Sequence, residues 1–266
     1  MATAAVSGED RTVSIGRLLT RAFGTIRSNP VATLGIAFLF GALPSLLLTW
    51  AIQVLGPEAF VALGTAAAIG LTVFSAVVAI LLAMITQGAL VRATVAYSEG
   101  RKASLSESAM AGLRVALPLF LLALLSALGI GLGLIFLVVP GIILYIMWSV
   151  AAPALVEERL GPIEALGRSS GLTDGARWKI FGLILVLVVL YWMFTAVIAM
   201  VGVMAYGGVE GLVSSAGSMP LGYLVVNAIA GTITSAVWGV ILTSLYVELR
   251  EWKDGPRTEA LADIFA

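Results

Sequence analysis

The chain has 266 residues, of which 60% are hydrophobic and only 11% charged, with a mean hydropathy of +1.07; soluble domains carry about 25% charged residues. Its 15 Lys and Arg balance 15 Asp and Glu, and it contains neither Cys nor His. That composition excludes a soluble fold, a basic surface for nucleic acid, disulfides, thiolate or imidazole metal sites and haem held by His. The expected class is all-α: a polytopic membrane helical bundle of six transmembrane helices in three hairpins, joined by cytoplasmic amphipathic elbow helices, as one integral membrane domain over 1–266.

The first residues, MATAAVSGEDR, carry an acidic pair and no basic region leading into an apolar one, so no cleavable signal peptide is expected. Over 14–28, Ile15, Leu18, Leu19, Ala22, Phe23 and Ile26 recur at helical spacing while Arg17, Arg21 and Arg27 take other faces. This is the pattern of an interfacial helix, either a pre-helix for the first span or a sensor of anionic lipid. Span one follows at about 31–55, opened by Pro30 and bent by Pro44, and span two at 63–90, ending before Arg92. About 20 apolar residues suffice to cross the hydrocarbon core.

Between Arg92 and Arg114 the chain is polar, and Ser104 followed by Glu107 fits a capping box for a short interfacial helix at 104–113. Val115 to Val156 then has no charge. With basic flanks on both sides it must cross twice, and Pro140-Gly141 is the expected turn, giving span three at 115–139 and a short span four at 141–156. A third elbow carries Glu157, Glu158, Arg159, Glu164, Arg168, Asp174, Arg177 and Lys179, with an interfacial helix at 162–171 beginning at Pro162. Span five is expected at 180–205 and span six at 220–247, and a small amphipathic helix over Thr258 to Phe265.

The spans contain no Asp, Glu, Lys, Arg or His, which argues against proton relays and carboxylate-pair chemistry at membrane depth. Glu157 and Glu158 fit either a Mg²⁺ site facing a lipid phosphate or ion pairs with Arg159 and Arg168. Asn227, Gly231, Ser235 and Gly239 recur every four residues, so they share a stripe of span six that either packs against another helix or faces a substrate. Gly129, Gly131 and Gly133 narrow span three for close packing or for an unwound segment. Trp178 and Trp252 fall where an interfacial aromatic belt is expected, and Gln53 and Gln87, near span ends, call for no special role.

The order Pro140-Gly141, Trp148-Ser149, Pro153, Glu157 or Glu158, Gly161, Glu164-Ala165-Leu166, Arg168-Ser169, Leu172-Thr173 and Trp178 resembles a family of bacterial six-span inner-membrane proteins of unknown function. One branch of that family is the membrane domain fused to glycerophosphodiester phosphodiesterases. Gly100-Arg101 and Tyr246, Glu248, Leu249, Arg250 extend the likeness over nearly the whole chain. The resemblance implies an inner-membrane location and the six-helix architecture, but not phosphodiesterase activity, whose catalytic barrel has no counterpart in this chain.

The resulting expectation is a non-enzymatic inner-membrane protein, without cofactor, that binds membrane lipids or another amphiphile, or a membrane-protein partner, in envelope maintenance. A transporter or flippase-like carrier of a lipid or peptide is the alternative, and a lipid-headgroup enzyme the third reading. The Lys and Arg fall in four clusters, at 11–27, 92–114, 159–179 and 250–257, and the loops after spans one, three and five hold none. That asymmetry predicts both termini in the cytoplasm. Alkaline phosphatase fused at Glu58 or Glu210 is expected to be active and at Lys102 silent; the opposite pattern rejects this topology.

Overall fold

A computed structural model describes residues 13–208, 210–211 and 220–255, and all regular structure among them is helical. The expected helix over Thr258 to Phe265 lies outside the described residues. Six stretches are long and apolar enough to cross a membrane: Pro30–Gly56, Thr65–Ser98, Leu105–Phe136, Val138–Glu158, Arg177–Ala205 and Leu221–Asp254. The chain is an all-α polytopic bundle, a multi-pass membrane protein.

Helix α1 (Ile15–Ser28) starts at Ser14, whose hydroxyl accepts from the Arg17 amide at 3.4 Å, and buries Leu18, Ala22 and Thr25. Asn29 ends α1 and opens α2 (Pro30–Ile36). Its side-chain oxygen accepts from the Ala32 amide at 3.3 Å, and its amide nitrogen donates to the Ala103 carbonyl at 2.7 Å. The bend expected at Pro44 takes the form of a π-helical segment, Ala37–Ala42, leading into α3 (Leu43–Leu63). Proline lacks the amide of the α ladder and crowds the carbonyl four residues back, and a widened turn relieves both. Within α3 the helix breaks again at Gly56, where φ is 70°.

Helices α4 (Thr65–Ser98) and α5 (Leu105–Phe136) form the most extensively packed pair. The interfacial helix expected at 104–113 is not separate, because it continues without interruption into the third span. Its capping box is half made: the Ser104 hydroxyl accepts from the Glu107 amide at 3.1 Å, while the Glu107 carboxylate reaches Arg92 at 2.8 Å.

The fourth span corrects two expectations. The chain turns at Leu137, in extended conformation between α5 and α6 (Val138–Met147), and not at Pro140-Gly141. Pro140 sits in the first turn of α6, where the amide it lacks has no helical partner to lose, so here proline begins a helix rather than ending one. Gly141 is the crossing point. A Cβ on it would lie 2.5 Å from Leu134, and one on Gly133 would lie 2.9 Å from the Gly141 backbone. Second, the span is broken at Trp148–Val150, with α7 (Ala151–Glu158) completing it.

Helix α8 (Pro162–Thr173) is the third elbow, and α9 (Arg177–Ala205) and α10 (Leu221–Asp254) complete the bundle. The main core joins α1, α4, α8, α9 and α10 at the end bearing the charged elbows, around Leu18, Leu90, Leu172, Ile180, Leu245 and Tyr246. At the other end the helices splay, and Phe74, Trp192, Met200 and Leu221 are exposed.

The Gly133 crossing separates two neighbouring glycines. Gly133→Ala must displace backbone and is expected to destabilise by about 1–3 kcal/mol. Gly131→Ala meets nothing within 4 Å and is expected to be neutral or to stabilise by up to about 1 kcal/mol through helix propensity. Thermal melts in detergent read both, and equal effects contradict the close crossing.

Candidate functional site

The elbow residues converge on the broken fourth span. A break in an apolar setting strands backbone groups that water cannot satisfy. Here the Ser169 hydroxyl on α8 accepts from the Val150 amide at 3.3 Å and donates to the Met147 carbonyl at 2.7 Å, with Thr173 donating to the same carbonyl at 3.4 Å. Trp148, at the break, lies against α5 where a Cβ on Gly129 would come within 2.5 Å of its ring. Gly129 is therefore a packing glycine.

Below the break, Glu158 accepts from Arg168 Nε at 2.8 Å and from the Tyr246 hydroxyl at 2.9 Å. Arg168 also pairs with Asp254. These carboxylates, Asp254 first, raise the guanidinium pKa above its ordinary value, against the opposing effect of partial burial. Arg250 adds a contact to the Tyr246 hydroxyl at 3.3 Å and a pairing with Glu157 at 3.9 Å. The acid pair thus faces cations and a phenol, as in the ion-pair reading, though with Arg168 and Arg250. Arg159 instead closes α7 in the left-handed region, at φ 54°. On nearly the opposite face of α10 from Tyr246, Glu248, almost fully buried, accepts from the Ser14 amide at 3.0 Å and from Arg17 at 2.7 Å, tying α1 to α10.

Of the elbow residues singled out in the sequence, Trp148, Pro153, Glu157, Arg168 and Ser169 meet around this junction. Pro140 and Gly141 lie at the far end of α6, and Trp178 stands apart, 85% exposed and edge-on to Phe181. The arrangement fixes backbone and pairs its acids with Arg168, Arg250 and Tyr246. It is a structural joint.

The cavity lies elsewhere. Between the π segment with α3, α4, α9 and α10 is a hollow of about 990 Å³, and α4 and α9 face one another across it with at most marginal packing. Phe40, Leu48, Phe74, Val78, Leu82 and Ile198 give it an apolar wall, and among the described residues no Asp, Glu, Lys or Arg lines it. The span-six stripe divides at this level. Gly239 is buried, and a Cβ there would meet Leu90 at 2.7 Å; Gly231 would meet nothing within 4 Å. Asn227, Gly231 and Ser235 line the cavity and also a smaller hollow of about 330 Å³ against α3. Among the described residues Asn227 has no hydrogen-bond partner on another helix; its amide donates to the Tyr223 carbonyl of its own helix at 3.0 Å.

Gln87, Tyr191, Thr195, Thr234 and Trp238 also line the hollow, and sequence reasoning passed over all five. One signal was present: Thr234, Ser235 and Trp238 fall within a turn of one another on the helix that carries the stripe. No family model, curated protein or solved structure matches the chain.

The two regions predict opposite outcomes. Ser169→Ala strands the buried Val150 amide and leaves the Met147 carbonyl only the long bond from Thr173, and is expected to cost about 1–3 kcal/mol. Asn227→Leu loses only a bond within its own helix and is expected to stay within about 0.5 kcal/mol of the parent. Melting of both variants in the same detergent checks the contrast.

Proposed function

We propose that this chain is a bacterial inner-membrane protein with both termini in the cytoplasm that holds a membrane lipid between α3, α4, α9 and α10 without transforming it. The observation that carries this reading is the cavity. Its volume of about 990 Å³ lies at the top of the range of about 300–1,000 Å³ typical of small-molecule sites. Its apolar wall suits acyl chains, and the gap between α4 and α9 gives those chains a sideways path. The π segment contributes Phe40 and Gly41 to the wall, consistent with the tendency of such widened turns to mark working sites. The inner-membrane location and the orientation rest on the family resemblance and on the asymmetry of Lys and Arg.

A carrier is the second reading, favoured by one observation. Asn227 lines the hollow two turns away from Ser235, so polar groups extend along its length instead of gathering at one end. The two readings share the cavity and differ in whether the lipid leaves on the opposite side.

Native mass spectrometry of the protein extracted in mild detergent tests the shared premise. The parent is expected to carry a stoichiometric lipid mass. Gly231→Trp, placed where a Cβ meets no neighbour, is expected to fold with unchanged melting and to lose that mass. A bare parent, or the same mass on both proteins, rejects a lipid in this cavity. Scrambling of that lipid between leaflets of reconstituted vesicles then separates carrier from holder.

A further inference from the structure

We propose that the lipid held in this cavity is uncharged, with a polar part that both donates and accepts hydrogen bonds, as a hydroxyl beside an ester does; this rests on the reading of the cavity as a lipid site. The argument begins with how the wall's polar groups are used. Ser45, Ser75 and Thr86 donate to carbonyls of their own helices at 3.1, 2.9 and 2.9 Å, as hydroxyls in apolar helices usually do. Gln87, Thr195, Thr234, Ser235 and Trp238 line the same cavity, and their side chains make no hydrogen bond to any described residue.

Four of these five sit together. Leu90 of α4 touches α10 at Gly239, and both helices run toward the charged elbows. Three or four residues back along each, Gln87 therefore lies level with Ser235. Thr234, Ser235 and Trp238 fall within about 6 Å along α10, at a rise of about 1.5 Å per residue. Thr195 belongs to α9, on the facing wall, and Asn227 is about 12 Å farther along α10, outside the cluster.

The chemistry of the cluster selects the ligand. The Trp238 indole only donates, so it needs an acceptor; the Gln87 amide and the two hydroxyls, Thr234 and Ser235, serve as donors or acceptors. Leaving such groups unmatched in an apolar wall is unfavourable, and a ligand that satisfies them gains selectivity over one that does not. Among the described residues no charged side chain lines the cavity. The nearest cation along α4, Arg92, is paired with Glu107 at 2.8 Å. A phosphate or carboxylate seated beside Gln87 would be a buried ion without a counter-charge, the least favourable arrangement available to it. The cavity therefore discriminates against the phospholipids that surround it.

The test uses the full-length protein in detergent with two probes that share their chains: dioleoylglycerol, and dioleoyl phosphatidic acid, which adds only the phosphate. Dioleoylglycerol is expected to bind at least about tenfold more tightly, and the double variant Gln87→Leu/Trp238→Phe to lose about that factor for dioleoylglycerol while leaving phosphatidic acid unchanged. Equal affinities, or tighter binding of phosphatidic acid, with both probes excluded by Gly231→Trp, overturn the uncharged head but keep the cavity as a lipid site. Binding of both probes that Gly231→Trp does not alter overturns the cavity itself. Tetraphenylphosphonium displacing dioleoylglycerol with equal strength from parent and double variant would assign the aromatic wall to a lipophilic cation and also overturn the proposal. Thermal melts of each variant confirm that it folds.

Discussion

A helix that breaks inside an apolar bundle exposes a carbonyl and an amide with no water to take them, and the Ser169 hydroxyl is the group that takes both. By bridging Met147 and Val150 it lets the fourth span stop, turn at Trp148–Val150 and resume as α7. Everything at the charged end is built on that joint. Helix α7 places Glu158 where Arg168 and Tyr246 reach it, Arg168 joins α8 to Asp254, and Glu248, nearly opposite Tyr246 on the same helix, draws in α1 through Arg17. Exposed ion pairs, such as that of Asp254, contribute little alone, but Glu158 is partly and Glu248 fully buried, and each joins two or more elements. Charge-assisted bonds of this kind fix orientation as well as contributing energy.

The same joint explains why the molecule is solid at one end and hollow at the other. Buried contacts gather Leu18, Leu90, Leu172, Ile180, Leu245 and Tyr246 where the elbows meet, and Gly239 lets α4 and α10 approach closely there. Farther along α10 the small residue Gly231 continues the stripe with nothing packed against it, and α4 and α9 separate. A stripe of small residues brings helices together only where the partner helix stays within reach. Where α4 diverges from α10, the same residue type widens a cavity. One periodic pattern in one helix therefore serves packing and lining in turn.

The six spans were legible in the sequence because each rests on a local quantity, the length of an uncharged apolar run. The interfacial face of α1, the Ser14 and Ser104 starts and the role of Pro162 were legible for the same reason. The turn at Leu137 was not. Pro140 is compatible with ending one helix or with opening the next, and the choice depends on how closely Gly133 and Gly141 cross, which is a contact between helices. The break at Trp148–Val150 was hidden more deeply, since nothing in its composition forbids helix, and the partner that stabilises the break lies 19 residues away.

Composition and charge pattern by themselves determined that the chain is helical, that it crosses a membrane repeatedly and that its Lys and Arg collect in four places, because the hydrocarbon solvent acts on each residue by its own polarity. Only tertiary structure decided what the polar residues inside the spans do. Asn227 turned out to satisfy itself on its own helix, while Gln87, near a span end, and Trp238, in an ordinary apolar stretch, came to line one hollow. Whether a side chain packs, caps or faces a cavity depends on the distance to a neighbouring helix, and that distance is set by all the helices together.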